Sequence, residues 1–158
     1  PGALFAALPG RDTDGQRFVD AAVRAGAVAV LAASPRPSAM HDTIAWLESS
    51  QPRVALASVA RRLAGAPDER LKVIGVTGTK GKTTCVHMLE AALENAGLPT
   101  AIGGTLGQRF HGHEWVSGLT TAEAPVLWSF LHDVADKGAR AAALEVSSIA
   151  LDSARVEN

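Results

Sequence analysis

The sequence is poor in cysteine, in excess charge of either sign and in long apolar runs. Its one cysteine, Cys85, has no disulfide partner within the chain, which favours a reducing compartment such as the cytosol. The 15 basic and 16 acidic residues leave a formal net charge of -1, so charge indicates neither nucleic acid nor a membrane surface as a partner. Gly, Pro and charged residues interrupt every apolar stretch, so we expect no membrane insertion and no export.

What the chain does contain is an alternation of apolar runs with amphipathic segments. Its 158 residues, 47% of them hydrophobic, suffice for one ordinary domain or two small ones. The alternation predicts an α/β fold with right-handed crossovers and a mostly parallel sheet. The predicted strands cover residues 3–8, 27–33, 53–58, 72–77, 100–106 and 139–147. The predicted helices cover residues 17–25, 40–50, 59–65, 82–95 and 122–137, with a polar hairpin at 107–117.

A glycine-rich segment between a predicted strand and a predicted helix is the most informative part of the chain. It reads Thr77-Gly78-Thr79-Lys80-Gly81-Lys82-Thr83-Thr84. Glycines let successive backbone N–H groups turn toward one anion, and the following helix adds the positive end of its dipole. The common P-loop template would require glycine where Val76 stands. A purely structural strand-to-helix turn is the plainer alternative.

This shorter loop resembles the ATP loop of the Mur ligase family, which forms amide bonds in peptidoglycan precursors with ATP. Further motifs follow in the family's order, namely Gly104-Thr105, Thr120-Thr121, and Glu145-Val146-Ser147-Ser148 followed by Arg155. Segments 2–10, 14–15 and 26–30 are similar to the family's uridine-binding domain. The likeness covers nearly the whole chain and is greatest for the ligases that add a diamino acid as the third peptide residue.

The resemblance implies a small N-terminal α/β domain that binds UDP, residues 1–68, with its start missing. A truncated ATP-binding central domain with a mostly parallel sheet would follow, residues 69–158. It further implies ATP and Mg²⁺ as cofactors, and UDP-N-acetylmuramoyl-L-alanyl-D-glutamate and a diamino acid, diaminopimelate or lysine, as substrates joined through an acyl phosphate. The parent enzyme is expected to be monomeric and to act in the bacterial cytoplasm, and this chain to be an N-terminal fragment without activity of its own.

The family's functional residues carry over by position. Lys82 and Glu145 would be catalytic, and Thr83 and Glu145 would hold Mg²⁺. The loop residues expected to contact ATP are Gly78, Thr79, Lys80, Gly81, Lys82, Thr83 and Thr84. The residues expected to contact the UDP-linked substrate are Arg11, Asp12, Thr13, Thr120, Thr121, Ser147 and Arg155.

Several of these residues have a plainer interpretation. Glu145 could be an ordinary exposed carboxylate, and the pairs Thr120-Thr121 and Ser147-Ser148 could cap helices. Cys85 is expected to be buried on the helix after the loop. At the level of function, another Mur-like ligase, dipeptide-adding or similar to cyanophycin synthetase, stays open. A non-catalytic nucleotide-binding module is the other alternative, because Ile149 stands where the family usually has histidine.

Overall fold

The computed structural model describes residues 2–10, 13–116 and 118–156. Contacts between residues divide the chain into two compact units, residues 1–56 and residues 57–158. That division falls within a helix, and the domain boundary predicted after residue 68 stays a prediction. Among the described residues, no helix is long and apolar enough to span a bilayer.

The first unit contains a three-stranded parallel sheet in the order β1-β2-β3. Its elements are β1 (Ala3–Ala7), α1 (Val19–Arg24), β2 (Ala27–Ala32), β3 (Ala45–Glu48) and the first turns of α2 (Pro52–Leu63). The central strand, β2, contributes Val30 and Ala32 to a small apolar core with Ala7, Val19 and Ile44. Asp14 starts the single 3-10 turn before α1 by accepting a hydrogen bond from the Gln16 N–H.

Two predicted elements of the first 65 residues are wrong. The predicted helix 40–50 contains strand β3, which pairs with β2 from Ala29↔Ala45 to Ala32↔Glu48 and so gains ladder hydrogen bonds. The predicted strand 53–58 and helix 59–65 form one helix, α2. Pro52 suits the first helical turn, and the three-residue spacing of buried Ala57 and Ala60 is helical.

The second unit contains a five-stranded sheet in the order β4-β8-β5-β6-β7. Strands β4, β8 and β5 pair in parallel, whereas β6 and β7 form the predicted hairpin and pair antiparallel. The mixed α/β class is therefore confirmed. The elements are β4 (Lys72–Val76), α3 (Lys82–Asn95), β5 (Thr100–Gly104), β6 (Gly107–Phe110), β7 (His113–Trp115), α4 (Ala124–Asp136), β8 (Ala141–Glu145) and α5 (Ser148–Asp152).

Strand β8, which lies between β4 and β5, divides its side chains between the two faces of this sheet. Ala142 and Leu144 belong to the larger apolar core, which also contains the buried residues of α4. Ala143 belongs to the cluster that Val86 of α3 forms with Ile102. Because successive side chains of a strand point to opposite faces, Glu145 lies on the same face as Ala143. The alternation thus directs a carboxylate toward the beginning of α3.

Glu94, at the end of α3, joins this helix to the sheet. Its carboxylate accepts a hydrogen bond of 2.7 Å from the Thr100 N–H and lies 3.1 Å from Nε2 of His111. The backbone N–H of Thr100 and, to a smaller extent, His111 hold the pKa of Glu94 below its usual range. A carboxylate of this kind stabilises the fold above its unfolded pKa, and the contribution disappears as pH falls through the folded pKa.

We therefore expect Glu94→Gln to lower the free energy of unfolding near neutral pH by about 1 kcal/mol or less, since the pair is partly screened by solvent. The difference from the unsubstituted protein should shrink as the solution is acidified below the usual pKa of a glutamate. Urea unfolding at a series of pH values measures this, with the exposed Glu114→Gln as the control. A difference that stays constant across the series would contradict the assignment.

Candidate functional site

The segment between β4 and α3 turns through two glycines with positive φ. Gly78 has a φ of 149° and Gly81 a φ of 80°, in the region that side chains disfavour. Gly81 is the N-cap residue of α3, and no side chain caps the helix there. The N–H groups of the first turn have no acceptor within the helix. The loop can therefore present backbone donors and the positive end of the α3 dipole to an anion.

Lys82 is the first residue of α3 and folds back over this loop. Its ammonium group donates a hydrogen bond of 2.8 Å to the Gly78 carbonyl. Thr79 and Lys80 are exposed in the loop, and Thr84 is exposed on the first turn of the helix. The loop thus carries two cations, since Lys82 is held across it and Lys80 is exposed to solvent.

The prediction that Cys85 is buried is wrong, because its side chain is exposed. The next residue, Val86, is 2% exposed and packs with Ile102 of the sheet. One position along a helix rotates a side chain by roughly 100°, from 3.6 residues per turn. The sheet-facing position of this turn is therefore occupied by Val86, and Cys85 points away from it.

Glu145 ends β8 and is only 3% exposed, so the alternative of an ordinary exposed carboxylate is wrong. Its Oε1 accepts hydrogen bonds from the Thr83 hydroxyl at 2.9 Å and from the Thr105 N–H at 3.0 Å. Its Oε2 accepts one from the Thr105 hydroxyl at 3.2 Å. These donors offset the cost of burying the carboxylate, and they hold it against the start of α3.

Gly104, the last residue of β5, provides the space for this carboxylate. A Cβ atom at position 104 would overlap the carboxyl group of Glu145. Position 104 therefore requires glycine, because the carboxyl group of Glu145 lies too close to the backbone to leave room for a side chain. The pair Gly104-Thr105 therefore has two functions in the fold, since the first residue admits the carboxylate and the second binds it.

A second group of predicted residues lies where the chain leaves β8. The Thr121 hydroxyl donates to the Glu145 carbonyl at 2.9 Å and accepts from the Ser147 N–H at 3.0 Å. Ser147 Oγ accepts from the Ala150 N–H at 3.1 Å and so caps α5. The capping interpretation is right for Ser147.

The capping interpretation is wrong for Thr120 and Thr121. The N-cap residue of α4 is Glu123, which makes no side-chain capping bond. Thr121 is 5% exposed, and its hydroxyl joins the loop before α4 to the end of β8. The hydroxyl oxygen of Thr120 lies 3.1 Å from that of Thr105. The two threonines therefore bind to the sheet edge rather than to the first turn of α4.

Arg155 is held against the same loop. Its Nη1 donates to the Thr121 carbonyl at 3.1 Å, and its Nη2 lies 2.9 Å from Oε1 of Glu123. Its side chain is 17% exposed, and its Nε is buried with no hydrogen-bond partner among the described residues. The guanidinium group thus anchors residues 121–123, and its Nε–H donates to none of the described residues.

The structure brings together most of the site residues predicted in the second unit, at the carboxyl edge of its parallel strands. One connected group of hydrogen bonds contains Thr83, Thr105, Thr120, Thr121, Glu145, Ser147 and Arg155. Thr105 also belongs to this group, although the sequence analysis quoted it only as part of a motif and gave it no role. It lies directly after β5, at the edge of the parallel strands where ligands gather.

Of the three candidates in the first unit, the structure describes Thr13. Thr13 is exposed, and its carbonyl accepts a hydrogen bond of 3.1 Å from the Gly10 N–H. Arg11 and Asp12 lie outside the described residues. Their expected contact with the UDP-linked substrate stays a prediction.

A cavity of about 380 Å³ opens beside Glu145 on the α3 face of the sheet. Its walls include Val86 of α3, the turn at Thr105, and Arg109 and Glu114 of the β6–β7 hairpin. The buried carboxylate is therefore next to open space that a ligand can enter.

The pair formed by Glu145 and Thr83 suits a hard cation. Mg²⁺ prefers oxygen ligands and is usually held by one or two carboxylates together with substrate phosphates and water. Among the described residues, no three His, Cys, Asp or Glu side chains gather into a cluster that could hold a metal by itself. The donors present fit a Mg²⁺ ion that arrives with a phosphate group.

Two family models match the chain on either side of the polar break. Residues 1–66 match the Mur ligase family, catalytic domain, and residues 76–158 match the Mur ligase middle domain. The chain belongs to the Mur ligase family. The resemblance predicted from the motifs is thereby confirmed.

Curated Mur ligases from several bacteria are similar to nearly all of the chain. It is 38% identical over 156 residues to the UDP-N-acetylmuramoyl-L-alanyl-D-glutamate--2,6-diaminopimelate ligase of Geobacter metallireducens, covering 99% of this chain and 30% of that ligase. It is 41% identical over 160 residues to the ligase of the same name from Synechococcus elongatus, covering 99% and 32%. The chain thus spans about a third of the length of these Mur ligases.

Solved Mur ligase structures share the fold. A UDP-N-acetylmuramoyl-L-alanyl-D-glutamate--2,6-diaminopimelate ligase superposes with a TM-score of 0.80 at 28% identity, over 97% of this chain and 31% of the other. The MurF ligase of Thermotoga maritima, solved in complex with ADP, superposes with a TM-score of 0.60 at 27% identity, over 93% and 29%. The higher score belongs to the ligase named for diaminopimelate.

Proposed function

We propose that the full-length protein is an ATP-dependent ligase that adds diaminopimelate to UDP-N-acetylmuramoyl-L-alanyl-D-glutamate during peptidoglycan precursor synthesis. The observation that carries this proposal is the buried Glu145 carboxylate held 2.9 Å from the Thr83 hydroxyl, at the start of the helix that follows the glycine loop. Diaminopimelate is preferred to lysine because the similar curated ligases, at 37–42% identity, are named for it.

The proposed reaction joins an unactivated carboxylate to an amine. An oxygen of the glutamyl carboxylate attacks the γ-phosphorus of ATP, the bond to the β-γ bridging oxygen breaks, and ADP leaves. The resulting acyl phosphate is attacked by the amine of the diamino acid. The tetrahedral intermediate then expels inorganic phosphate, the nitrogen loses its proton, and the amide remains.

The first step brings two polyanions together, so the site must offset their repulsion. Backbone N–H groups of Gly78, Thr79, Lys80 and Gly81, and of Thr83 and Thr84 on the first turn, would bind the ATP phosphates. Lys82 lies over the loop and would place its ammonium group on the transferring phosphoryl group. Thr83 and Glu145 would hold Mg²⁺, which supplies charge neutralisation at the phosphate oxygens when bound.

The UDP-linked substrate would approach from the Thr120-Thr121 loop. Thr120, Thr121, Ser147 and Arg155 surround the carboxyl end of β8, next to Glu145. Arg155 supports this placement, because its buried Nε is a donor without a partner among the described residues. Arg11, Asp12 and Thr13 would contact the uridine moiety. Because the reaction consumes ATP and a UDP-linked precursor, we place it in the bacterial cytoplasm, and we expect a monomer.

Phosphate release by the full-length protein tests the proposal. We expect release that requires ATP, Mg²⁺, UDP-N-acetylmuramoyl-L-alanyl-D-glutamate and diaminopimelate together, with lysine in place of diaminopimelate giving a much lower rate. A preference for lysine would overturn the choice of diamino acid and leave the ligase assignment intact.

Two other outcomes would replace the proposed function. Release with the tripeptide precursor and a dipeptide would indicate a dipeptide-adding Mur ligase. Nucleotide binding without release on any precursor would indicate a non-catalytic module. Ile149 motivates this last alternative, because it occupies the first turn of α5 beside Ser147 and is 58% exposed.

A further inference from the structure

We infer that Thr105 is a positioning residue that orients the Thr120 hydroxyl as a hydrogen-bond acceptor for the UDP-linked substrate; this rests on the proposed function. Thr105 stands between two parts of the site that have different proposed roles. On one side it binds the Glu145 carboxylate with both its N–H and its hydroxyl. On the other side its hydroxyl oxygen lies 3.1 Å from that of Thr120.

The direction of these hydrogen bonds follows from the number of protons available. A carboxylate only accepts hydrogen bonds, and a threonine hydroxyl has one proton to donate. The bond of Thr105 to Oε2 of Glu145, 3.2 Å long, therefore uses the Thr105 proton, and a charged acceptor is the stronger of the two. The contact between the two hydroxyls must then use the proton of Thr120.

Thr120 is left with its lone pairs directed away from Thr105. Its side chain is only partly buried, so an incoming ligand can reach those lone pairs. A group that donates a hydrogen bond, such as a peptide N–H or a sugar hydroxyl, would be accepted there. A carboxylate or phosphate oxygen would be rejected, because it cannot donate. The charge of Glu145 thus sets the selectivity of Thr120 through one intervening hydroxyl.

This arrangement also explains why a residue with a hydroxyl group follows Gly104. The N–H of residue 105 would reach Oε1 of Glu145 with any side chain. The hydroxyl alone reaches Oε2 and Thr120. Removing it should leave Glu145 bound through Oε1 and free the Thr120 hydroxyl to rotate.

The test is the dissociation constant of UDP-N-acetylmuramoyl-L-alanyl-D-glutamate, measured by titration calorimetry on the full-length protein without ATP. We expect Thr105→Val and Thr120→Val each to raise it roughly 3- to 10-fold, the effect of one hydrogen bond. The dissociation constant of the double variant should not exceed that of the single variant that binds less tightly, because both substitutions remove one shared interaction. Thr105→Ser, which keeps the hydroxyl, should bind like the unsubstituted protein.

Three results would overturn the inference. The first is an unchanged dissociation constant in Thr105→Val. The second is a dissociation constant of the double variant that is raised by the product of the two single effects. The third is weaker binding by Thr105→Ser. If Thr105→Val does not fold, Thr105→Ala replaces it, since it also removes the hydroxyl and must weaken binding to the same extent. Failure of the proposed function is distinct, because the unsubstituted protein would then not bind this precursor at all.

Discussion

The Lys82→Ala protein is expected to lose roughly 10²- to 10³-fold in kcat/KM for phosphate release, the usual loss when one group that stabilises transition-state charge is removed. Lys82 is the cation that the fold holds across the glycine loop, through its bond to the Gly78 carbonyl. The negative charge of the transferring phosphoryl group would develop beneath it. The loss should appear mainly in kcat, because the interaction strengthens in the transition state.

Lys72→Ala is the matched control for this variant. Lys72 is exposed at the opposite end of the same strand, β4, so its removal changes the net charge equally and leaves the loop intact. Steady-state kinetics of the two variants, with thermal unfolding to confirm that both fold, separate a local effect from a change in overall charge. Equal activity of Lys82→Ala and Lys72→Ala would remove Lys82 from the proposed mechanism.

The Glu145→Gln protein is expected to keep its fold and lose at least about 100-fold in kcat, in the range of a lost charge-stabilising group. The amide has the shape of the carboxylate, and its oxygen can still accept from the Thr83 hydroxyl and the Thr105 N–H. Its NH₂ group would face the Thr105 hydroxyl, which can rotate to accept. The change therefore removes charge from a buried position with little change in packing.

Magnesium dependence shows whether the lost charge acts through the cation. The Mg²⁺ concentration for half-maximal phosphate release should rise in Glu145→Gln and stay unchanged in Asp136→Asn. Asp136 is a half-exposed carboxylate at the end of α4 whose pair with Arg70 lies on the surface. An unchanged Mg²⁺ requirement in Glu145→Gln would show that Glu145 is not a Mg²⁺ ligand.

The sequence predicted the second unit better than the first, for a physical reason. Strands β4, β5 and β8 are continuous apolar runs bounded by Gly, Pro or polar residues, and helices α3 and α4 are long enough to show a helical period. Residues 40–65 contain short segments in which both periods fit. There the structure depended on β2 being available as a pairing partner for β3, and on Pro52 beginning a helix. The pairing with β2 is not visible from local composition, whereas Pro52 was a local signal for a helix start that the prediction did not use.

For the candidate site, the sequence by itself determined which chemical groups are available, because the glycine loop, the paired threonines and the Glu145 motif appear as residue types in a fixed order. It also placed the glycine loop and the Glu145 motif at the ends of predicted strands, where parallel strands bring them to one edge. Only the tertiary structure decided that Glu145 is buried, that Gly104 makes room for it, and that Thr105 connects it to Thr120. These facts depend on strands β5 and β8 lying side by side, which brings together residues 40 positions apart, and no local pattern records that pairing.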